Sequence, residues 1–220
     1  MDQLIERVVA QSGVPSGVYL AALNGEGFER EDFAEIQLQL FHLASGWDRL
    51  LGLLSSQLPG ASLRRAANRG AWDGPTDEDA FVGFLDALGG LSLEDVRRRF
   101  QWPEVKAFES ALMGAMVDDW RLGASCLGVV EQLMGSVAEA TAAAARRRGW
   151  VEGDVPYYDV QGRWKRGQAK ALFGLVRSRF EGGDLADRYP IALGARVGAL
   201  EVRRLLDALY EARARRIWVR

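Results

Sequence analysis

Phe33 to Pro59 reads FAEIQLQLFHLASGWDRLLGLLSSQLP. Its apolar residues Ile36, Leu40, Leu43, Trp47, Leu50, Leu51 and Leu54 recur at steps of three and four, the period of one helix face, with none of the alternation of a half-buried strand. The spacing predicts one long core helix from about Glu31 to Leu58, stopped by Pro59-Gly60. A helix with one apolar face must bury it against another element, and the rest of the chain offers only more helices.

Ser62 precedes LRRAANRGAW, and Thr76 with Asp79 and Ser92 with Asp95 have the form of capping boxes, with Asp in place of Glu. Gly89-Gly90 closes a segment built on Phe81, Phe84, Leu85 and Leu88. Pro103 suits the first turn of a helix to about Asp119, and a small-residue helix follows from Ser125 to Arg148, ending at Gly149. Pro156 opens a further helix from Tyr157 to Phe180, closed by Gly182-Gly183, and Pro190 opens the last, through Leu205, Leu206 and Tyr210. The expected fold is all-α: seven to ten helices, no strands, in a single domain over residues 1–220. Glycines inside these helices (Gly46, Gly52, Gly128, Gly135, Gly162, Gly167, Gly174, Gly194 and Gly198) imply close helix contacts or room beside a ligand.

A hydrophobic content of 48% supports a substantial core, and a formal charge of −2 provides no field to hold a nucleic acid. The clusters Arg146 to Arg148 and Arg213, Arg215, Arg216 fall near helix ends and read as solvated termini that complement the dipole. The one cysteine, Cys126, cannot form an internal disulfide. No signal peptide is legible before Ala10, and no apolar stretch reaches the roughly 18 residues of a bilayer span. A cytoplasmic location and no membrane partner are expected. There is no G-x-G-x-x-G after a strand, no P-loop and no G-x-S-x-G, so nucleotide binding and serine hydrolysis find no support. Seven tryptophans exceed what such a core usually requires and suggest a pocket for a flat molecule. A homodimer is the expected assembly.

In order and character these segments resemble the heme-oxygenase-like helical bundle, the group of thiaminase II, pyrroloquinoline quinone synthase and the heme-oxygenase-like diiron oxidases. Residues 33–59 look like the group's first long helix, and DEDAFVGFLDALGG (77–90) like the helix after its first ligand pair. VPYYDVQGRWKRGQAKALFGLV (155–176) is similar to the helix carrying the last ligands, and GALEVRRLLDALYEA (198–212) to the closing helix. The resemblance implies a diiron pattern of Glu-x6-His, a middle Glu, and His-x3-Asp-x2-His. The late triad then falls on Gln161, Lys165 and Gln168, the early pair near Ala71 to Asp73 and Asp77, and the middle position on Glu131. Amides are weak iron ligands and an ammonium opposes a divalent cation, so no iron centre, and no other cofactor, is expected.

Steps of four and seven put Gln161, Lys165 and Gln168 on one helix face, with Tyr158 a turn before and Leu172 a turn after. Either that face binds an anionic or carbonyl-bearing ligand through Lys165, or Arg163, Lys165, Arg166 and Lys170 form a wet basic surface. Glu131, between Val130 and Leu133, needs a partner if buried, and Lys165 is the expected one. His42, the one histidine, lies seven residues after Glu35 with Gln39 between, which makes it a candidate general base as well as an ordinary packing residue. The thiaminase II resemblance implies a nucleophilic cysteine and an acid on the closing helix, here Cys126 and Glu201. The aromatic and proline neighbours of that cysteine are missing, and a buried, inert thiol is the plainer reading.

The expectation from the sequence is a metal-independent enzyme acting on a small organic metabolite, a cofactorless oxidoreductase being one form of it. Its pocket would gather His42, Glu131 and Lys165 as catalytic groups with Glu35, Tyr158, Gln161 and Gln168 around the substrate. Two alternatives stand beside it: a non-catalytic descendant that binds a small molecule or partner, and a residual iron enzyme using Asp73, Asp77, Glu131 and His42. A central cavity of roughly 300 Å³ or more with convergent polar groups separates a binding site from a filled scaffold.

Overall fold

The computed structural model describes residues 1–25, 27–65, 78–151 and 156–213. Among them are ten helices and no strand: α1 (Asp2–Gln11), α2 (Val18–Asn24), α3 (Arg30–Ser45), α4 (Trp47–Gln57), α5 (Glu78–Gly89), α6 (Leu93–Arg98), α7 (Pro103–Asp118), α8 (Trp120–Arg147), α9 (Pro156–Gly182) and α10 (Leu185–Ala212). The caps expected at Thr76 and the early ligand positions near Ala71 to Asp77 lie outside the described residues. None of the described helices is long and apolar enough to cross a membrane.

α8 is the axis of the bundle. Residues Leu122 to Glu131 are buried without interruption, so the helix meets neighbours on every side rather than along one stripe. Its largest interfaces are with α9 and then α10, and small residues permit both. A Cβ on Gly128 would overlap the Phe173 ring, one on Gly135 would sit 3.2 Å from the Gly162 carbonyl of α9, and on α10 Gly194 and Gly198 lie against the carbonyls of Leu122 and Cys126. The in-helix glycines therefore permit close contacts, with backbone at Gly135, Gly194 and Gly198 and with an aromatic ring at Gly128.

Three expected boundaries move. The long first helix is two, with Gly46 between them; a Cβ there would lie 2.8 Å from Glu109 Oε1 of α7, so the junction has little room for a side chain. α8 starts at Trp120, where extended Asp119 accepts a hydrogen bond from the Arg121 N–H at 2.7 Å. Pro190 does not open α10 but sits inside it, after a cap in which Asp184 accepts from the Asp187 N–H. The Ser92–Asp95 capping box and the stop at Gly90, with φ +66°, are as expected.

Of the arginines at the end of α8, Arg146 and Arg147 are exposed as expected, but Arg147 and the half-buried Arg148 also reach back to the loop after α2. Arg147 donates to the Leu23 and Asn24 carbonyls, and Arg148 donates to those of Phe28, Ala22 and Gly25 while its guanidinium stacks 4.6 Å from the Trp150 ring. They satisfy the free carbonyls at the end of α2 and clamp the loop after it to the bundle.

Candidate functional site

A cavity of about 240 Å³ opens between α3, α4, α5, α8 and α9. It is smaller than the roughly 300 Å³ usual for drug-sized ligands and suits a molecule of one or two rings. Its walls are aromatic: Phe41 from α3, Trp47 from α4, Phe81 from α5, and Tyr157, Tyr158 and Trp164 from α9. Phe81 and Tyr157 stack at 4.2 Å with their planes 12° apart, and Tyr158 meets Phe84 edge-on at 4.9 Å, so this corner is rigid packing rather than loose side chains.

The α9 residues divide between two sides of the helix. Arg163, Arg166 and Lys170 are exposed, whereas Gln161 and Gln168 are buried and the Lys165 side chain is only 17% exposed. Tyr158, Gln161 and Lys165 line the cavity; Gln168 is buried one turn further along and does not.

Lys165 Nζ stands 3.0 Å from Glu131 Oε2, the partner expected for that carboxylate, and Glu131 is fully buried. Burial pushes the Glu131 carboxyl above its ordinary range, while the Lys165 charge and the Trp47 indole N–H pull it back. The ammonium also lies 5.4 Å from the Trp47 ring and 5.7 Å from the Trp164 ring, within reach of both π faces. Burial and the nearby Glu131 charge push Tyr157 upward, so it is a neutral phenol near neutral pH.

Toward the Tyr158 end, three residues that the sequence did not single out stand together, of which only Thr141 is among the lining residues. Tyr158 donates to Gln37 Oε1, Gln37 Nε2 donates to the Tyr19 hydroxyl at 3.3 Å, and the hydroxyl of Thr141 lies beside Tyr19. A faint signal existed for Gln37: it sits four residues from both Phe33 and Phe41 on α3, an amide on a buried stripe.

His42 and Glu35 do not belong to this site. Glu35, Gln39 and His42 share the other face of α3, turned toward α6 and α7. Glu35 pairs with Arg99 at 3.1 Å, Gln39 accepts from the Trp102 N–H at 2.7 Å and donates to the Phe100 carbonyl at 3.2 Å, and the imidazole hydrogen-bonds the Arg99 backbone. Burial lowers the His42 pKa, opposed by that bond and by the nearby Glu109. Cys126 also lies away from the cavity: it is the seventh residue of α8, 1% exposed, and burial pushes its thiol up to about 12. Glu201 is paired with Arg204 at 2.8 Å.

Iron does not fit this face. Asp73 and Asp77 lie outside the described residues, and among the described ones no three His, Cys, Asp or Glu side chains gather as a metal site. The Lys165 ammonium lies 3.0 Å from Glu131 Oε2, and a cation there opposes a divalent metal at that carboxylate.

No family model matches the chain, and none of the curated proteins does. Among solved structures it is similar to a TenA family transcription regulator from Silicibacter sp. TM1040, with a TM-score of 0.71 over 96% of each chain at 13% identity. That likeness carries the architecture alone: the chain has the all-α, heme-oxygenase-like helical fold.

Proposed function

We propose that the chain acts, without a metal, on a small, flat organic metabolite in this cavity, with Lys165 holding an anionic or developing oxyanionic group and Glu131 exchanging the proton. The observation that carries this reading is the buried Lys165–Glu131 pair, in which Lys165 lines an aromatic cavity and Glu131 stands behind it, outside the lining. Lys165 uses one of its three N–H donors on Glu131, which leaves others for a ligand. A second anion at the ammonium competes with Glu131, and a fully buried carboxylate deprived of its cation takes up a proton. If the substrate itself gives that proton, Glu131 gains it, the substrate anion faces Lys165, and the net charge of the site is unchanged. Enolisation and tautomerisation have this form, and a cofactorless oxidation by dioxygen starts from the same carbanion. His42, placed on the other face of α3, has no part in it.

Isothermal titration with biphenyl-4-carboxylate in buffers of different ionisation enthalpy tests the exchange. Binding is expected to take up about one proton per ligand. Glu131→Gln should abolish the uptake and retain binding. No binding, or binding with no proton uptake, refutes the reading.

A second reading keeps the cavity and drops turnover: a protein that binds the metabolite and responds to it. Two observations favour it. Neither a thiol nor the imidazole lines the cavity, and the similar Silicibacter structure is described as a transcription regulator. Deuterium exchange from solvent into an enolisable ligand separates the two, since only the proton-transferring site accelerates it.

A further inference from the structure

One amide on the cavity wall has no part in the proposed chemistry. Gln161 precedes Lys165 by four residues on α9, about 6 Å along the helix axis, and both residues line the cavity. Gln161 is 5% exposed, yet its amide makes no hydrogen bond to the described residues. Neither amide atom is sealed off, so both keep a little surface open to water.

The surroundings explain why the amide is unpartnered. A Cβ on Gly135 would touch the Gly162 carbonyl and lie 3.4 Å from Lys165 Cβ, so α8 runs close against α9 at this level. There α8 gives the lining Met134, Val137 and Ala138, and α3 gives it Leu40 and Phe41, none with a polar side-chain atom. Nearby polar groups of the lining are engaged elsewhere: Tyr158 with Gln37, Lys165 with Glu131, and the Trp47 indole with Glu131.

A glutamine amide presents an N–H donor and a carbonyl acceptor on one flat edge. A ligand that covers such an edge without bonding to it strips its hydration and leaves two polar atoms unsatisfied, which costs more than the bonds gain when they form. The complementary edge is another amide, with its own N–H and C=O side by side. No hydrogen bond fixes which way the Gln161 amide lies, so it can turn to match either orientation of the ligand.

We infer that Gln161 is a specificity-determining residue that pairs edge to edge with an amide of the ligand, a carboxamide or lactam about 6 Å from the anion held at Lys165. The assignment rests on the proposed Lys165 site. It narrows the flat metabolite to an aromatic acid that carries its amide across one ring from the acidic group. A ketone or ester at the same place supplies an acceptor alone and leaves the Gln161 oxygen covered without a donor.

The test is isothermal titration near neutral pH with 4-carbamoylbenzoate and 4-acetylbenzoate, which share an outline and differ by an NH2 in place of a CH3. The carbamoyl probe should bind about tenfold more tightly to the unmodified chain. Gln161→Met, of similar length and apolar, should erase that preference while both probes still bind. Equal binding to the unmodified chain, or a preference that survives Gln161→Met, overturns the role of Gln161 and leaves the Lys165 site standing. A Gln161→Met chain that binds neither probe overturns it too, because the apolar wall should still accept 4-acetylbenzoate. Failure of both probes where biphenyl-4-carboxylate binds overturns this assignment alone; failure of all three overturns the Lys165 site with it.

Discussion

Lys165→Met removes the cation from a carboxylate that has no access to water, and its cost depends on pH in a way that packing loss does not. Glu131 is fully buried, so without Lys165 it escapes an unpaired charge by taking up a proton. Burial favours the neutral carboxyl, so the folded variant binds that proton more tightly than the unfolded chain; stability is greatest below the ordinary value of 4.5 and is lost as pH rises toward the folded pKa. At 1.36 kcal/mol per pH unit, the cost of holding the proton is at most about 3.4 kcal/mol at pH 7 and about 0.7 kcal/mol at pH 5. Loss of the ammonium from the faces of Trp47 and Trp164 adds about 1 kcal/mol at either pH. For a chain of this size the sum lowers Tm by about 9–18 °C at pH 7 and about 3–7 °C at pH 5. Glu131→Gln combined with Lys165→Met leaves no charge to neutralise and should recover all but about 1 kcal/mol. Thermal melts followed by circular dichroism at the two pH values, each referred to the unmodified chain, decide it. An equal Tm loss at pH 5 and pH 7, or a double variant no more stable than Lys165→Met, would refute the buried pair.

Gly194→Ala drives a methyl into the Leu122 carbonyl and should cost about 3 kcal/mol, whereas Gly174→Ala, with nothing within 4 Å, should stabilise by about 0.5–1 kcal/mol; urea midpoints with unchanged slopes check both. Cys126 should resist a thiol reagent in the native chain and react stoichiometrically after denaturation, and rapid native labelling would contradict its burial. The triple change Gln161→His, Lys165→Asp, Gln168→His sets three donors on the α9 face beside Glu131. Adding cobalt(II) should raise its Tm and produce visible d–d absorption, with neither effect in the unmodified chain; no response would show that this face is not aligned with Glu131 as a ligand face.

The helical period of residues 33–59 was legible because it depends only on which residues face inward. The break at Gly46 was not, since a glycine inside an apolar helical period reads as tolerated, and the crowding by Glu109 lies on another helix. The starts of α8 and α10 were written in Asp119 and Asp184, each a capping residue; the expectation instead favoured Ser125 and Pro190, one within a helix of small residues and one a proline that a partly exposed helical turn tolerates. The Lys165–Glu131 pair followed from two local facts, steps of four and seven on α9 and a carboxylate among valines on α8. His42 was misassigned for the opposite reason. Steps of three and four mark every face of a helix, and nothing in α3 alone says that Phe41 faces the cavity while Glu35, Gln39 and His42 face α6 and α7. The Tyr19–Gln37–Tyr158 chain joins three helices far apart in sequence, and no window of residues contains it.

The displacement of the one histidine from the cavity narrows the chemistry more than its scarcity did. Proton transfer near neutral pH needs a group whose pKa lies close to that range. Burial moves Tyr157 and Tyr158 away from it, upward, and Asp48 is exposed at the rim. Glu131 is the buried carboxyl that burial moves toward neutrality, and it does so beside the cavity wall. Its distance from that range is set by two neighbours, the Lys165 ammonium and the Trp47 indole, and both belong to the ligand's surroundings. A ligand that draws Lys165 away from Glu131 therefore raises the carboxyl further at the moment it arrives. In the proposed site, binding and proton affinity are coupled through a single 3.0 Å contact, a coupling that a metal at the same carboxylate would suppress by holding it ionised.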